Sequence, residues 1–316
     1  MKIGFITDPL ESLKIKKDST YAMMAEAAGR GHELHVMQQD DLVWKKNRVF
    51  ATMRRISLTK DPGDWYSAEA AKEMALADLD CVLMRKDPPF DVEYVTSTWL
   101  LEQAQREGAR VFNDPRALRD HSEKLAIAQF PQFTAPTLVS RSADQVQAFI
   151  DEHRDVVLKP LDGMGGQSIF RVAGNDPNRN VIVETLSYGG SRSIMAQRYI
   201  PEIRDGDKRV LVIGGKPVPH CLARIPKAGE SRGNLAAGGT GVARLLSARD
   251  LEIASTLGPE LARRGLLLVG LDVIGDCLTE VNVTSPTCFR EITDQTGFNV
   301  AGMFMDELQA ACATRR

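Results

Sequence analysis

The segment Val156–Val172, VVLKPLDGMGGQSIFRV, places three glycines within four residues between two short strand-like runs, with Lys159 on the leading run. That order excludes the two commonest phosphate-binding folds. A P-loop needs its lysine after the last glycine and a Ser or Thr beside it, yet Lys159 precedes Gly163. A dinucleotide fingerprint needs a third Gly or Ala at its sixth place, where Ser168 stands. A strand also follows the glycines, so no helix dipole is available to anchor an anion. What remains is a hairpin tip. The N–H groups of Gly163, Gly165 and Gly166 can approach phosphate oxygens because no Cβ intervenes, and Lys159 adds a point charge. A simple β-turn satisfies the same pattern.

The rest of the chain says what carries this hairpin. Strand Ile3–Ile6, helix Ser19–Arg30, a stop at Gly31 and strand Glu33–Met37 form one βαβ unit. Strand Cys81–Met84, helix Val92–Glu107, a cap at Gly108 and strand Arg110–Phe112 form another. Such units predict a parallel sheet. Asp40–Tyr66 reads as a side hairpin or long loop. After Asn113 the rhythm changes. Helices are expected over Pro115–Ala128 and Ser140–His153, then paired strands at Val156–Lys159 with Ser168–Val172, and Lys208–Ile213 with Pro217–Arg224. The second pair turns at GGKP. The fold class is therefore α/β, and α+β overall: a parallel domain (1–122), then a two-part domain with antiparallel sheets (123–200 and 201–316). Arg224–Gly241 is glycine-rich and aperiodic, as functional loops of that length are.

Composition narrows the function. With 316 residues, 26% charged, a net charge of -2 and basic residues scattered along the chain, nothing favours nucleic acid or an anionic membrane as a partner. No apolar run reaches the roughly 18 residues of a membrane helix. Five dispersed cysteines without C-x-x-C, behind an N-terminus with no signal-peptide features, read as reduced thiols in a cytoplasm.

Two further clusters bear chemistry. In GLDVIGDCLTEVNVTSP, Glu280 and Asn282 are two apart on one strand and share a face. A two-residue turn at Gly275–Asp276 would set Asp272 opposite Thr279, whereas a three-residue turn, Gly275–Cys277, sets it opposite Glu280. The odd turn is the expectation. The three oxygen ligands would then suit Mg²⁺, which keeps waters and takes phosphate oxygens; the solvated face of an edge strand is the other reading. Arg209 and Arg224 lie on the predicted hairpin and Arg232 in the glycine-rich loop. Beside a triphosphate, these arginines could stabilise charge on a phosphoryl group in transfer. Lys124, after Ser122 as a helix cap, would face the positive end of its own helix, a local conflict that marks it for function.

Taken together, Lys124, Lys159 with DGMGGQSIF, MAQRYIP, DGDKRVLV, RGNLAAGG and Asp272/Glu280/Asn282 resemble the ATP-grasp ligases. RKDPPF, CLARIP, GNLAAGG and NVTSPTC are similar to bacterial glutathione synthetase, with a likeness spanning essentially the whole chain. The resemblance implies a pre-ATP-grasp domain followed by an ATP-grasp domain, and the joining of γ-glutamylcysteine to glycine with ATP through an acyl phosphate. By position it implies that Lys124 and Lys159 bind phosphate, Gln197 and the backbone of Tyr199 and Ile200 hold adenine, and Asp207 takes the ribose hydroxyls. Asp272, Glu280 and Asn282 would hold two Mg²⁺, with Mn²⁺ as a substitute. Arg209, Arg224 and Arg232 would be catalytic, and Arg85, Asn234 and Ser285 would hold the peptide or line its site. Gly233, Gly238 and Gly239 would let the loop over 225–241 act as a lid. The family further implies a homotetramer.

Overall fold

A computed structural model describes residues 1–313 except 231, 232, 234, 236 and 237. Arg232 and Asn234 therefore lie outside the described residues. The chain begins with β1 (Lys2–Ile6), α1 (Ser19–Gly29) and β2 (Glu33–Met37), then β3 (Leu42–Lys45), β4 (Arg48–Leu58), β5 (Tyr66–Ala68) and β6 (Lys72–Ala75). It returns with β7 (Cys81–Met84), α2 (Val92–Arg106), β8 (Val111–Phe112) and α3 (Pro115–Arg119). These strands form one sheet in the order β3-β4-β2-β1-β7-β8, with β5 and β6 also on β4. β2, β1, β7 and β8 are parallel, as the glycine stops predict, and β4 runs antiparallel to β2. Asp18 and Asp91 accept from the Tyr21 and Tyr94 amides and so cap α1 and α2. The segment 40–66 is the edge hairpin β3–β4, turning at Lys46–Asn47, both at positive φ.

A second sheet holds β9 (Thr137–Ser140), β10 (Asp155–Pro160), β11 (Phe170–Ala173) and β12 (Ile194–Arg198), in the order β11-β10-β12-β9, all antiparallel. Helices α4 (Ala143–His153) and α5 (Arg179–Ser187) pack on it through Val146, Ile150, Val183 and Leu186, a small core of its own. The third sheet is β15-β14-β13-β16-β17, also antiparallel: β13 (Asp207–Ile213), β14 (Lys216–Ile225), β15 (Thr240–Leu245), β16 (Leu268–Ile274) and β17 (Cys277–Asn282). Helices α6 (Ala248–Arg263), α7 (Phe289–Thr296) and α8 (Val300–Ala313) complete the chain. Buried side chains of the first and third sheets share two hydrophobic clusters, in one of which Phe5 and Leu83 join Leu211, Phe289 and Phe304. β13 and β14 turn through Gly214 and Gly215, whose φ of 57° and 81° only glycine adopts without strain.

Two local expectations are corrected. The helix predicted over Pro115–Ala128 breaks after Arg119, and Lys124 opens a 3₁₀ turn (Leu125–Gln129). The β16–β17 turn has two residues, since Ile274 pairs with Cys277, but a β-bulge follows. Val273 pairs with Leu278 and Asp272 with Glu280, so Thr279 is the extra residue that restores the predicted apposition.

Candidate active site

The second and third sheets face each other across a cavity lined by Lys124, Lys159, the 163–167 loop, Gln197, Tyr199, Ile200, Asp207, Gly233, Asp272 and Glu280. Its apolar walls are Val157, Ile169, Ile203 and Ile274. The glycine loop spans β10 and β11, with Gly165, Gly166 and Ser168 at positive φ. Lys124 donates to the Gly163 carbonyl and so ties the loop to the 3₁₀ turn.

Lys159 is buried, with Nζ 3.4 Å from the carbonyl of the bulged Thr279 and 3.6 Å from Glu280 Oε1. Lys124 Nζ is 3.9 Å from the same carboxylate oxygen. One acid thus stands between two lysines from separate segments. Burial pushes the Lys159 pKa down, against the pull of Glu280.

The arginines form a second electrostatic centre. Arg209 donates from Nε to Asp272 Oδ1 at 2.5 Å, and its Nη2 lies 3.2 Å from Oδ2. The two residues are cross-strand partners on β13 and β16. Gly270 leaves room for this side chain, since a Cβ there would sit 2.9 Å from Arg209 Cδ. Arg224, opposite Asp207 on β14, donates from Nη2 to Asp207 Oδ2 at 2.6 Å and reaches Asp272 Oδ2 at 2.9 Å. Burial pushes the Asp272 carboxyl up, but Arg209 and Arg224 overcome it and hold the group well below the usual carboxylate range. Asp207 goes the other way. Burial, with the nearby Asp272 charge, raises it to about 6 despite Arg224. Its Oδ1 is buried in the cavity wall and has no hydrogen-bond partner among the described residues.

Gln197 is buried and donates to Thr137 Oγ1 at 3.0 Å. The Tyr199 N–H goes to the Asp155 carbonyl, and the Ile200 carbonyl accepts from Ile203. Arg171, doubly bonded to Asp155, stacks 3.7 Å above the Tyr199 ring. Asn282 lies two residues past Glu280, and its Nδ2 donates to the Gly270 carbonyl at 3.1 Å, which leaves the side-chain oxygen as its donor atom for a cation. Carboxylate and amide oxygens are the hard ligands a divalent cation takes, so this set fits one.

Arg85 and Ser285 lie outside that cavity, where the first and third sheets meet. Arg85 is buried, donating to Thr20 Oγ1 at 3.1 Å and the Pro286 carbonyl at 3.0 Å, while Ser285 donates to Asp87. Of the described lid glycines, Gly233 is buried against the Arg224 carbonyl, and a Cβ there would meet that oxygen at 2.4 Å. A Cβ on Gly239 would meet the Gly233 carbonyl equally closely, and Gly238 has a φ of 89°.

Glu123 is a residue the motifs missed. Its Oε1 accepts from the Val283 and Thr284 amides and the Thr284 hydroxyl, so it fixes the start of NVTSPT against the segment bearing Lys124. An acid in a supposed first helical turn looks like ordinary capping and gave no signal.

The architecture recurs in solved structures, an ATP-grasp ligase among them. D-cycloserine synthetase DcsG matches with a TM-score of 0.67 at 15% identity, covering 98% of this chain and 99% of that one. The ATP-grasp ligase PsnB with minimal precursor, Mg and ADP matches with a TM-score of 0.63 at 17% identity, covering 99% and 98%. At such identities the likeness is one of fold. The particular family comes from sequence. Residues 1–119 match the model of the prokaryotic glutathione synthetase N-terminal domain, and residues 123–297 that of its ATP-grasp domain. The chain is 63% identical to the glutathione synthetase of Ralstonia nicotianae, covering 98% of this chain and 96% of that protein. It is 60% identical to that of Nitrosomonas europaea, covering 100% and 99%. The chain belongs to the prokaryotic glutathione synthetase family, whose members are ATP-dependent ligases.

Proposed function

We propose that the chain joins γ-glutamylcysteine to glycine, giving glutathione, ADP and phosphate. The observation that carries the nucleotide half of this reading is the convergence of Lys124 and Lys159 on Glu280 beneath the glycine loop. The substrate half rests on the family.

The chemistry explains the charges. A carboxylate is a poor electrophile, so the γ-phosphoryl group of ATP moves first onto the cysteinyl carboxylate and makes an acyl phosphate. Lys124 and Lys159 hold the phosphates as point charges, and the loop amides at Gly163, Gly165 and Gly166 close over them. Adenine lies between the sheets, against Val157, Ile169 and Ile274, near Gln197. The Tyr199 carbonyl and Ile200 N–H are its backbone partners, since the Tyr199 N–H and Ile200 carbonyl are already bonded. Asp207 Oδ1, buried and without a hydrogen-bond partner among the described residues, accepts from the ribose.

Asp272, Glu280 and Asn282 would hold two Mg²⁺, with Mn²⁺ as a substitute, and those ions when bound would neutralise charge on the β- and γ-phosphates. Glycine's amine then attacks the acyl phosphate, forming an anionic tetrahedral species. Arg209 and Arg224 stabilise that charge, preorganised by the carboxylates that grip them, and Arg232 joins from the loop. The loop over 225–241, hinged at Gly233, Gly238 and Gly239, excludes water that would hydrolyse the acyl phosphate. Arg85 and Ser285, with Asn234, position the peptide.

The chain reads as three units, 1–122, 123–200 and 201–316. Among the described residues no helix is long and apolar enough to cross a membrane; we place the enzyme in the cytoplasm as a homotetramer. ADP release with Mg²⁺-ATP tests the function directly. Turnover is expected only with γ-glutamylcysteine and glycine together; turnover with another acid–amine pair would retain the ATP site and overturn the substrate.

A further inference from the structure

Gln197 faces the cavity from a row of cross-strand neighbours. It pairs with Val157 on β10 and with Thr137 on β9, so the three side chains leave the second sheet on one face. Gln197 and Val157 line the cavity. Thr137, on the edge strand, stands beyond Gln197 and lines a separate groove with Pro136 and Val139. The ligase chemistry uses no group of Thr137.

A side-chain amide has a donating end and an accepting end, and a half-turn about its last bond exchanges them. Two hydrogen bonds decide which end Gln197 shows. The Thr137 hydroxyl donates to the Ala135 carbonyl at 2.8 Å. Its one proton is thereby committed, so Thr137 Oγ1 can only accept, and it does so from Gln197 Nε2 at 3.0 Å. The amide nitrogen is therefore held toward β9, and Oε1 is the atom left for the cavity. Turning the amide over would set two oxygens together unless the hydroxyl gave up the Ala135 carbonyl, so the reversed amide loses a hydrogen bond either way.

We infer that Thr137 sets the choice of purine: by the polarity of its two hydrogen bonds it holds Gln197 as an acceptor, which selects a 6-amino purine over a 6-oxo one. The inference rests on the placement of adenine against Gln197. An N–H of the 6-amino group meets Oε1 as donor to acceptor. The oxygen of a 6-oxo purine meets it as a second acceptor, and both are left unpaired. The Tyr199 carbonyl and Ile200 N–H face the base as well, but they are main-chain groups that any sequence would supply. Gln197 is the side chain that reads the 6-position, and Thr137 is its positioning residue, in contact with no part of the nucleotide.

The test titrates the full-length protein calorimetrically with Mg²⁺-ATP and with Mg²⁺-ITP, whose base carries oxygen in place of the 6-amino group. Wild type should bind ATP more tightly. Thr137→Val keeps the shape and removes the hydroxyl, so Gln197 can turn and offer its N–H. The ratio of the two Kd values should then fall roughly 3–10-fold, the worth of one hydrogen bond. Thr137→Ser should restore the ratio, and Thr137→Ala, read in the same way, stands in if the valine protein does not fold. A side chain that only filled space would change both affinities alike. Equal binding of ATP and ITP by wild type overturns the inference. So does an unchanged ratio in Thr137→Val, or a ratio in Thr137→Ser as low as with valine. Because no peptide or glycine is present, failure of the ligase reading would show in ADP release and not in this ratio. Failure of wild type to bind either nucleotide would remove the nucleotide site and the inference with it.

Discussion

Arg224 and Asp272 meet at 2.9 Å through Nη2 and Oδ2, and the same nitrogen lies 2.6 Å from Asp207 Oδ2. One guanidinium thus links carboxylates from two strands, and Arg209 takes the other side of Asp272. This grip fixes both guanidiniums, so that in the proposed reaction they would meet a developing anion without reorganisation.

Arg224→Ala should accordingly lower kcat by roughly 10²–10³, the loss typical of one oxyanion contact. It should also destabilise the fold by about 3–5 kcal/mol, because Asp207 and Asp272 are left buried with one arginine fewer. Arg224→Lys should recover more stability than turnover, since an ammonium cannot reproduce the fork. ADP release and urea unfolding on both variants separate the effects; full turnover in a folded Arg224→Ala would remove the residue from the mechanism.

Lys159 is buried with Glu280 as its nearest acid, and burial already lowers its pKa. Lys159→Met should raise the Kd for ATP roughly 10–100-fold, the loss of one charge-assisted contact of about 1.5–3 kcal/mol. The empty fold should tolerate the change, because a hydrophobic side chain replaces a desolvated charge. Calorimetric titration with ATP and a thermal melt check both halves. Unchanged ATP affinity would leave phosphate binding to Lys124 and the loop.

His121 gives a pH signature. Burial, then the Arg264 charge, lowers it to about 4 from an ordinary value of 6.5. The neutral ring is favoured in the folded chain, so its contribution is fully present above pH 6.5 and is lost as pH falls toward 4. The full loss is roughly 3 kcal/mol. Asp207, raised to about 6, has the opposite sign: its contribution is present below pH 3.8 and lost as pH rises through 6. Urea unfolding of wild type and His121→Leu at pH 7 and pH 4.5 should show wild type losing its advantage at the lower pH. A constant difference would mean that His121 titrates normally.

Much of this was legible in local sequence. Gly31 and Gly108 stop helices that return to parallel strands, so β1, β2, β7 and β8 could be read from spacing alone. The Asp272–Glu280 pairing was legible as a requirement, but its means was not. A turn length is a guess from two or three residues, and the bulge at Thr279 comes with a contact that no pattern shows, its hydroxyl donating to the Asp272 carbonyl at 3.1 Å. The Arg209–Asp272 and Arg224–Asp207 partners needed the order β14-β13-β16, in which residues up to 63 apart become neighbours. No periodicity encodes that register. Lys124 was noticed because it broke a helix rule, yet the helix itself was absent.

Glu280 balances two lysines at 3.6 and 3.9 Å. Glu280→Gln leaves those cations facing each other and takes a charged oxygen from the proposed metal set. Because even groups behind the ligands cost 10–100-fold in metal affinity, the Mg²⁺ concentration for half-maximal ADP release should rise by about that factor or more. An unchanged Mg²⁺ dependence with reduced kcat would confine Glu280 to positioning the lysines.

Gly233 supplies the sharpest steric test of the covering loop. A Cβ at this position would lie 2.4 Å from the Arg224 carbonyl and 3.1 Å from Asp207 Cβ, and neither the carbonyl nor the strand bearing it can retreat cheaply. Gly233→Ala must therefore lift the loop from the arginine–carboxylate pair while leaving β13 and β14 paired. The expected result is a melting temperature close to wild type, a marked fall in glutathione formed and a larger share of ADP released without peptide-bond formation, because water reaches the acyl phosphate. Measuring ADP and glutathione in the same reaction gives that ratio. If the two fall together, the loop acts in binding or phosphoryl transfer, and water exclusion is not its contribution.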